Sequence, residues 1–178
     1  MGIIKKFNLE KLIIGILISN FAKKAELLHI LINYFGPIDF QSDLLDFNFT
    51  TYYNREMGIP IKRFFISFDR LIPPQRLSHV KLTTNSIESI FKVQEKRKIN
   101  LDPGLLSMSR FILASTKDSS HRIPLVSGIY GEITLMYESD NFRPVEWTYK
   151  DYKSTQYLAI LKKIRKIYMD QMKSREPL

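Results

Sequence analysis

The sequence predicts an α+β fold: a single domain over residues 1–178 with a ferredoxin-like βαββαβ core, extended by a β-hairpin and a long C-terminal helix. Three observations carry this expectation. Elements read in the order β-α-β-β-α-β across residues 11–101, the order of a split βαβ unit. Residues 12–18 form a continuous apolar run rich in β-branched residues, the mark of a strand buried on both faces. After Ser154 an amphipathic stripe continues to Met172 with lysines on its other faces. A chain of 178 residues is long enough for one real hydrophobic core.

The elements follow in order. After 12–18, a helix is expected over 25–35, with Leu27, Leu28, Leu31, Tyr34 and Phe35 at helical spacing and Gly36-Pro37 as its stop. His29 lies among its apolar residues and reads as packed or surface-facing. Residues 38–49 alternate loosely like a strand that 50–53 extend, and a turn follows through Gly58 and Pro60. The strand 61–68 places Ile61, Arg63, Phe65 and Ser67 on one face and Phe64, Ile66 and Phe68 on the other. Pro73-Pro74 opens a helix whose buried stripe is Leu77, Val80, Thr84, Ile87 and Phe91. Lys81, Asn85 and Glu88 share the face beside it, which is either solvated or lines a pocket.

A short strand over 96–101 precedes Asp102-Pro103, which fits a helix N-cap with proline at the first position. A short helix with Leu105, Met108 and Ile112 is therefore expected, with a strand over 111–113 as the alternative. Residues 121–127 and 129–137 read as strands joined at Ser127-Gly128 in a two-residue hairpin. Finally, Ser154 caps a helix that packs Tyr157, Leu161, Ile164, Tyr168 and Met172.

Composition narrows the function classes. The chain is 44% hydrophobic, hence globular, and carries a net charge of +9. Residues 150–178 hold eight Lys/Arg against three Asp/Glu. Such an excess attracts phosphates and anionic surfaces, or simply solvates a helix. No window reaches the roughly 18 apolar residues of a membrane span, so no membrane partner is expected. Without cysteine there is neither a disulfide nor a thiolate zinc site, and the expected location is cytoplasmic. Walker and dinucleotide glycine motifs, a nucleophile elbow and a His-x-x-x-His pair are all absent. No metal site is expected.

A candidate site comes from the hairpin. With Ser127-Gly128 as its turn, Leu125 faces Tyr130, Ile123 faces Glu132 and His121 faces Thr134. His121 and Glu132 then become diagonal neighbours on one face. A one-residue slip would undo that register. Such a pair serves as a base with its orienter, as half a metal site, or as a structural contact. Asp102 joins them as a third candidate catalytic group. Lys81, Arg97, Lys117 and Arg122 are the candidate anion-binding groups, with Asn85, Glu88 and Asn100 as further ligand contacts.

Several ordered pieces resemble a family. They include Phe47-Asn-Phe-Thr50, Glu56-Met-Gly58, Lys81-x-x-x-Asn85-x-x-Glu88 and Asn100-Leu-Asp-Pro-Gly104. Ala114-Ser-Thr-Lys-Asp118, His121-Arg-Ile123, Gly128-Ile-Tyr-Gly-Glu132 and Trp147-Thr-Tyr-x-Asp-Tyr152 follow. In these the chain is similar to the uncharacterised prokaryotic domain-of-unknown-function family 4416, departing from it at Pro124 and Lys150. The resemblance implies a small cytoplasmic protein of unassigned activity. Members are sometimes labelled GTP-binding. Thr116-Lys117-Asp118, however, lacks the spacer of the guanine-reading Thr-Lys-x-Asp. The family's motifs are polar residues in turns and at strand ends, which implies a pocket more than a bare scaffold.

Three functions from different classes remain. The first is a pocket for a small anionic ligand, phosphorylated or nucleotide-like, with or without catalysis; the cofactor is unknown. The second is a nucleic-acid-binding module that uses the basic C-terminal helix and the aromatics Tyr52, Tyr53, Tyr130 and Trp147. The third is a protein–protein assembly factor that docks through the apolar hairpin.

Overall fold

The computed structural model of the protein describes residues 2–175. Its strands form a single antiparallel nine-stranded sheet, and four α-helices accompany it. In its interior lies β1 (Lys11–Ile18), every residue of which is buried. Helix α1 (Lys24–Phe35) follows, then the edge strands β2 (Ile38–Gln41) and β3 (Leu45–Asp46) and the single turn α2 (Asn54–Met57). Strand β4 (Lys62–Phe68), helix α3 (Leu77–Ile90) and strand β5 (Ile99–Leu106) complete the first part. In this part the strands lie in the order β2-β4-β1-β5, so β1 is inserted between two strands that α3 connects.

The sheet continues through β6 (Arg110–Ser115) and β8 (Tyr130–Glu138) to the two-residue edge strand β7 (Ile123–Pro124). Strand β9 (Asn141–Pro144) pairs with the far end of β8, and α4 (Thr155–Lys173) closes the chain. The alternation of β1 and β4 separates two cores. Ile14, Ile16, Phe64 and Ile66 pack with Leu27 and Leu31 of α1 and Leu77, Val80 and Ile87 of α3. Ile13 and Phe65 face the other way, towards Tyr157, Leu161, Ile164 and Tyr168 of α4. Ser154 caps α4 as expected, its Oγ accepting the Tyr157 N–H.

Residues 102–115 correct the sequence reading. No helix follows Asp102-Pro103; the segment is the hairpin β5–β6, with Gly104 opposite Leu113 and Leu106 opposite Phe111. The helical spacing of Leu105, Met108 and Ile112 misled because both strands are buried on two faces, so apolar residues recur without a strict period. Gly104 fits this hairpin by lacking a side chain. A Cβ there would lie 2.6 Å from the Ile112 carbonyl oxygen and 2.6 Å from the Phe111 ring.

The stretch 38–53 is also less regular than expected. Only Ile38–Gln41 and Leu45–Asp46 pair with β4, and residues 47–53 leave the sheet as a loop.

Gly104→Ala should therefore overpack the β5–β6 corner and cost on the order of 1–3 kcal/mol. Urea unfolding of the two proteins checks this. An unchanged midpoint would contradict the close approach.

Candidate functional site

The sheet splits where β5 and β6 part. Their pairing covers only Gly104–Leu106 against Phe111–Leu113. In an antiparallel ladder, alternate residues turn their backbone groups to the same neighbour. Leu101 turns both of its groups away from β1: its N–H donates to Glu88 Oε1 at 2.7 Å, and its carbonyl accepts from Lys81 Nζ at 2.9 Å. Residue 103 belongs to the same row, and it is proline, with no N–H to offer β6. The ladder ends beside it, and two side chains of α3 take the place of the missing strand.

A cleft of about 690 Å³ occupies this fork, between the aromatic loop 47–53, the loop after β6 and the turn 149–152. That volume suits a small-molecule site. The site residues expected from the sequence converge here. Helix α3 contributes Lys81, Asn85 and Glu88, and β5 contributes Asn100 and Asp102. Arg97, Lys117, Arg122 and Glu132 line the cleft as well. His121 does not. It stands behind Glu132, donating from Nε2 to Glu132 Oε2 at 3.1 Å and stacking on Trp147 with centroids 5.1 Å apart.

The expected neighbours His121 and Glu132 do meet, but by a different route. The observed register places Ile123 opposite Gly131 and Pro124 opposite Tyr130, one residue from the expected pairing. The turn at Ser127-Gly128 has both residues at positive φ, 59° and 72°, as a type I′ hairpin requires. Its strand pairing stops at Ile123, and the Ser119–Arg122 turn, closed by Arg122 N–H to the Ser119 carbonyl, carries the imidazole back over Glu132. Thus residues 121–122 belong to a turn, not to a strand.

Charge pairing inside the cleft is uneven. Glu132, 1% exposed, accepts from Arg122 Nε at 2.8 Å as well as from His121. Arg122 also donates to Tyr149 Oη at 2.6 Å and to the Lys117 carbonyl. Arg97 grips Glu56 through two hydrogen bonds of 2.6 and 2.8 Å, and reaches Glu88 and Asn100. Hence both arginines expected to hold an anion are already engaged by carboxylates. Lys81, Lys117 and Lys150 line the cleft with no carboxylate in salt-bridge reach among the described residues.

The floor holds a residue that sequence reasoning missed. Arg63, 2% exposed, donates to Asp102 at 2.9 Å and to Asp151 at 3.2 Å. Its guanidinium is ringed by Phe47, Phe65 and Tyr152. Gly15 makes room for it, since a Cβ there would lie 2.9 Å from both Arg63 Nη1 and Tyr152 Oη. Burial works against the charge on Asp102, but Arg63, Lys81 and the Asn100 amide outweigh it and hold its carboxyl below the usual range. Burial pushes Asp151 and Glu88 up despite their cationic neighbours. Burial likewise raises the phenol of Tyr53, a cleft residue that the sequence reading offered only as a stacking aromatic for nucleic acid. The available signals were a lone arginine on an apolar strand face and a glycine inside an otherwise unbroken apolar run.

No group of three or more His, Asp or Glu side chains among the described residues is arranged to hold a metal ion. Nor is any helix there long and apolar enough to cross a membrane.

Residues 8–168 match the family described as domain of unknown function (DUF4416), and the chain belongs to that family. No curated protein and no solved structure matches the chain.

Arg63→Met would leave the buried Asp151 and the half-buried Asp102 without their shared partner, which should cost about 3 kcal/mol at about pH 7. In the variant both carboxyls gain protons on folding, so the loss should shrink as the pH falls towards about 4. Denaturant unfolding at the two pH values checks this; a loss independent of pH would count against the shared ion pair.

Proposed function

We propose that this member of the DUF4416 family binds a small anionic ligand, phosphorylated or nucleotide-like, in the cleft at the sheet fork. One observation carries the reading. The cleft is lined by six cationic side chains, Arg63, Lys81, Arg97, Lys117, Arg122 and Lys150, against four carboxylates, Glu88, Asp102, Glu132 and Asp151, and Lys81, Lys117 and Lys150 make no salt bridge among the described residues. The unbalanced charge is positive and faces a half-open cleft. An anion is the partner that such a cleft favours, because partial exclusion of water strengthens its attraction to the ammonium groups.

Within this reading the candidate residues divide their labour. Lys81, Lys117 and Lys150 meet the anion. Arg97 and Arg122 set the walls by holding Glu56, Glu88 and Glu132 in place. Asn85, whose amide has no hydrogen bond among the described residues, and Asn100 offer polar edges to the rest of the ligand. Asp102 is a positioning residue for Arg63, and His121 is one for Glu132. A catalytic role for His121 would have to pass through Glu132, since the imidazole does not line the cleft.

We read residues 1–178 as one α+β domain with a ferredoxin-like core. The strand order β2-β4-β1-β5, with α1 and α3 packed on one face, supports that assignment. The nucleic-acid reading draws less support. On the basic helix, Arg165 stacks over Tyr137 at 3.5 Å and donates to the Met108 carbonyl, and Lys162 donates to Asn141.

Thermal unfolding with inorganic phosphate, sugar phosphates and the uncharged sugars tests the proposal. A ligand at about 100 times its Kd should stabilise by roughly 2.7 kcal/mol. Phosphorylated compounds should shift the midpoint, their parent sugars should not, and Lys117→Gln with Lys150→Gln should remove most of the shift. No shift with any anion would overturn the reading. So would a shift that survives these changes and disappears on Lys162→Gln with Lys166→Gln.

A further inference from the structure

The mouth of the cleft carries information about what enters it. Four aromatics of the loop 47–53 pack in series, the first pair tilted and the next two edge to face. Phe49 lies 6.0 Å from Phe47, Phe47 lies 6.0 Å from Tyr53, and Tyr53 lies 5.0 Å from Tyr52 at 88°. Each ring thereby fixes the next, and the series ends at Tyr52, which is 64% exposed. A large, mostly exposed aromatic side chain held at the rim of a polar cleft by a neighbouring ring is a stacking platform.

The Tyr52 ring is already in use. Lys117, from the opposite wall, places its Nζ 5.1 Å from the centre of the Tyr52 ring. The contact spans the mouth and joins two loops that share no strand pairing. A cation over an exposed ring contributes about 0.5–1 kcal/mol, whereas stacking a planar base on an aromatic side chain contributes about 1–3 kcal/mol. A planar ring can therefore displace the ammonium from Tyr52. The freed ammonium remains at the mouth, without a carboxylate of its own among the described residues, as a partner for an anionic group carried by the same molecule. A ring without an anion would leave Lys117 with nothing, and an anion without a ring would leave Tyr52 bare. A molecule that carries both replaces both halves of the closing contact.

We propose that the ligand is a nucleoside monophosphate, with its base stacked on Tyr52 and its phosphate held by Lys117, Lys150 and Lys81. The assignment rests on the anion-binding reading above and adds the ring to it. The unpartnered amide of Asn85 lies within the same cleft to meet heteroatoms of the ligand. Tyr53 keeps Tyr52 oriented, and Arg122 steadies the Lys117 loop through the Lys117 carbonyl.

Isothermal titration of the full chain with nucleoside 5′-monophosphates, ribose 5-phosphate and inorganic phosphate tests this directly. The monophosphates should bind at least about tenfold more tightly than ribose 5-phosphate, the lower part of the range expected for one base stacked on an aromatic ring. Tyr52→Leu should erase that advantage and leave the affinity for ribose 5-phosphate within about twofold. Both Tyr52 and Lys117 are surface residues, so circular dichroism should match the parent protein. Equal affinity for the monophosphates and ribose 5-phosphate would overturn the stacking assignment and leave the anion site standing, as would a base preference that survives Tyr52→Leu. No binding of any phosphate compound by a folded protein would overturn both.

Discussion

A missing hydrogen bond shapes this molecule. Pro103 stands in the row of β5 that faces β6 and cannot donate, so the two strands separate after three paired residues. An open fork in a sheet exposes backbone groups whose burial without partners would cost about 1–3 kcal/mol each. Glu88 and Lys81 supply partners for Leu101, their polar heads meeting its backbone where β6 is missing. A helix face that packs as ordinary core along Leu77, Val80, Thr84 and Ile87 thus delivers a carboxylate and an ammonium to a cavity.

A second constraint lies beneath the first. Arg63 is fully buried between Asp102 and Asp151, one carboxylate on the sheet and the other on the turn that leads into α4. A buried charge is tolerated only when its partners stay in place, so this ion pair fixes the terminal helix to the floor of the cleft. Gly15 and the aromatic ring around the guanidinium leave a site for one residue shape. The rigid floor and the α3 supports contrast with the mouth, which is closed by a single cation–aromatic contact between loops.

Much of this was legible in the chain, for physical reasons that can be named. Residues 12–18 and 154–172 announce themselves because burial on two faces and a capped amphipathic stripe leave strong periodic signals. Lys81, Asn85 and Glu88 were recognisable as one face from helical spacing alone, and Asn100 and Asp102 from their unusual turn-like company. The Asp-Pro-Gly of β5 was misread, because the same residues that start helices also end ladders. Arg63 could not be assigned from sequence: its role depends on Asp151, 88 residues away, and only the fold brings them together. His121 and Glu132 met despite a wrong register, because the turn at Ser119–Arg122 offsets the one-residue slip.

The central claim is that the fork, and not the basic C-terminal helix, receives the anion. Backbone amide chemical shifts measured during a titration with ribose 5-phosphate test it most directly. The account predicts that shifts concentrate at residues 49–53, 100–102 and 114–118, with α4 nearly silent beyond its first turn. Shifts centred on Lys162, Lys163 and Lys166, with the fork unmoved, would contradict it.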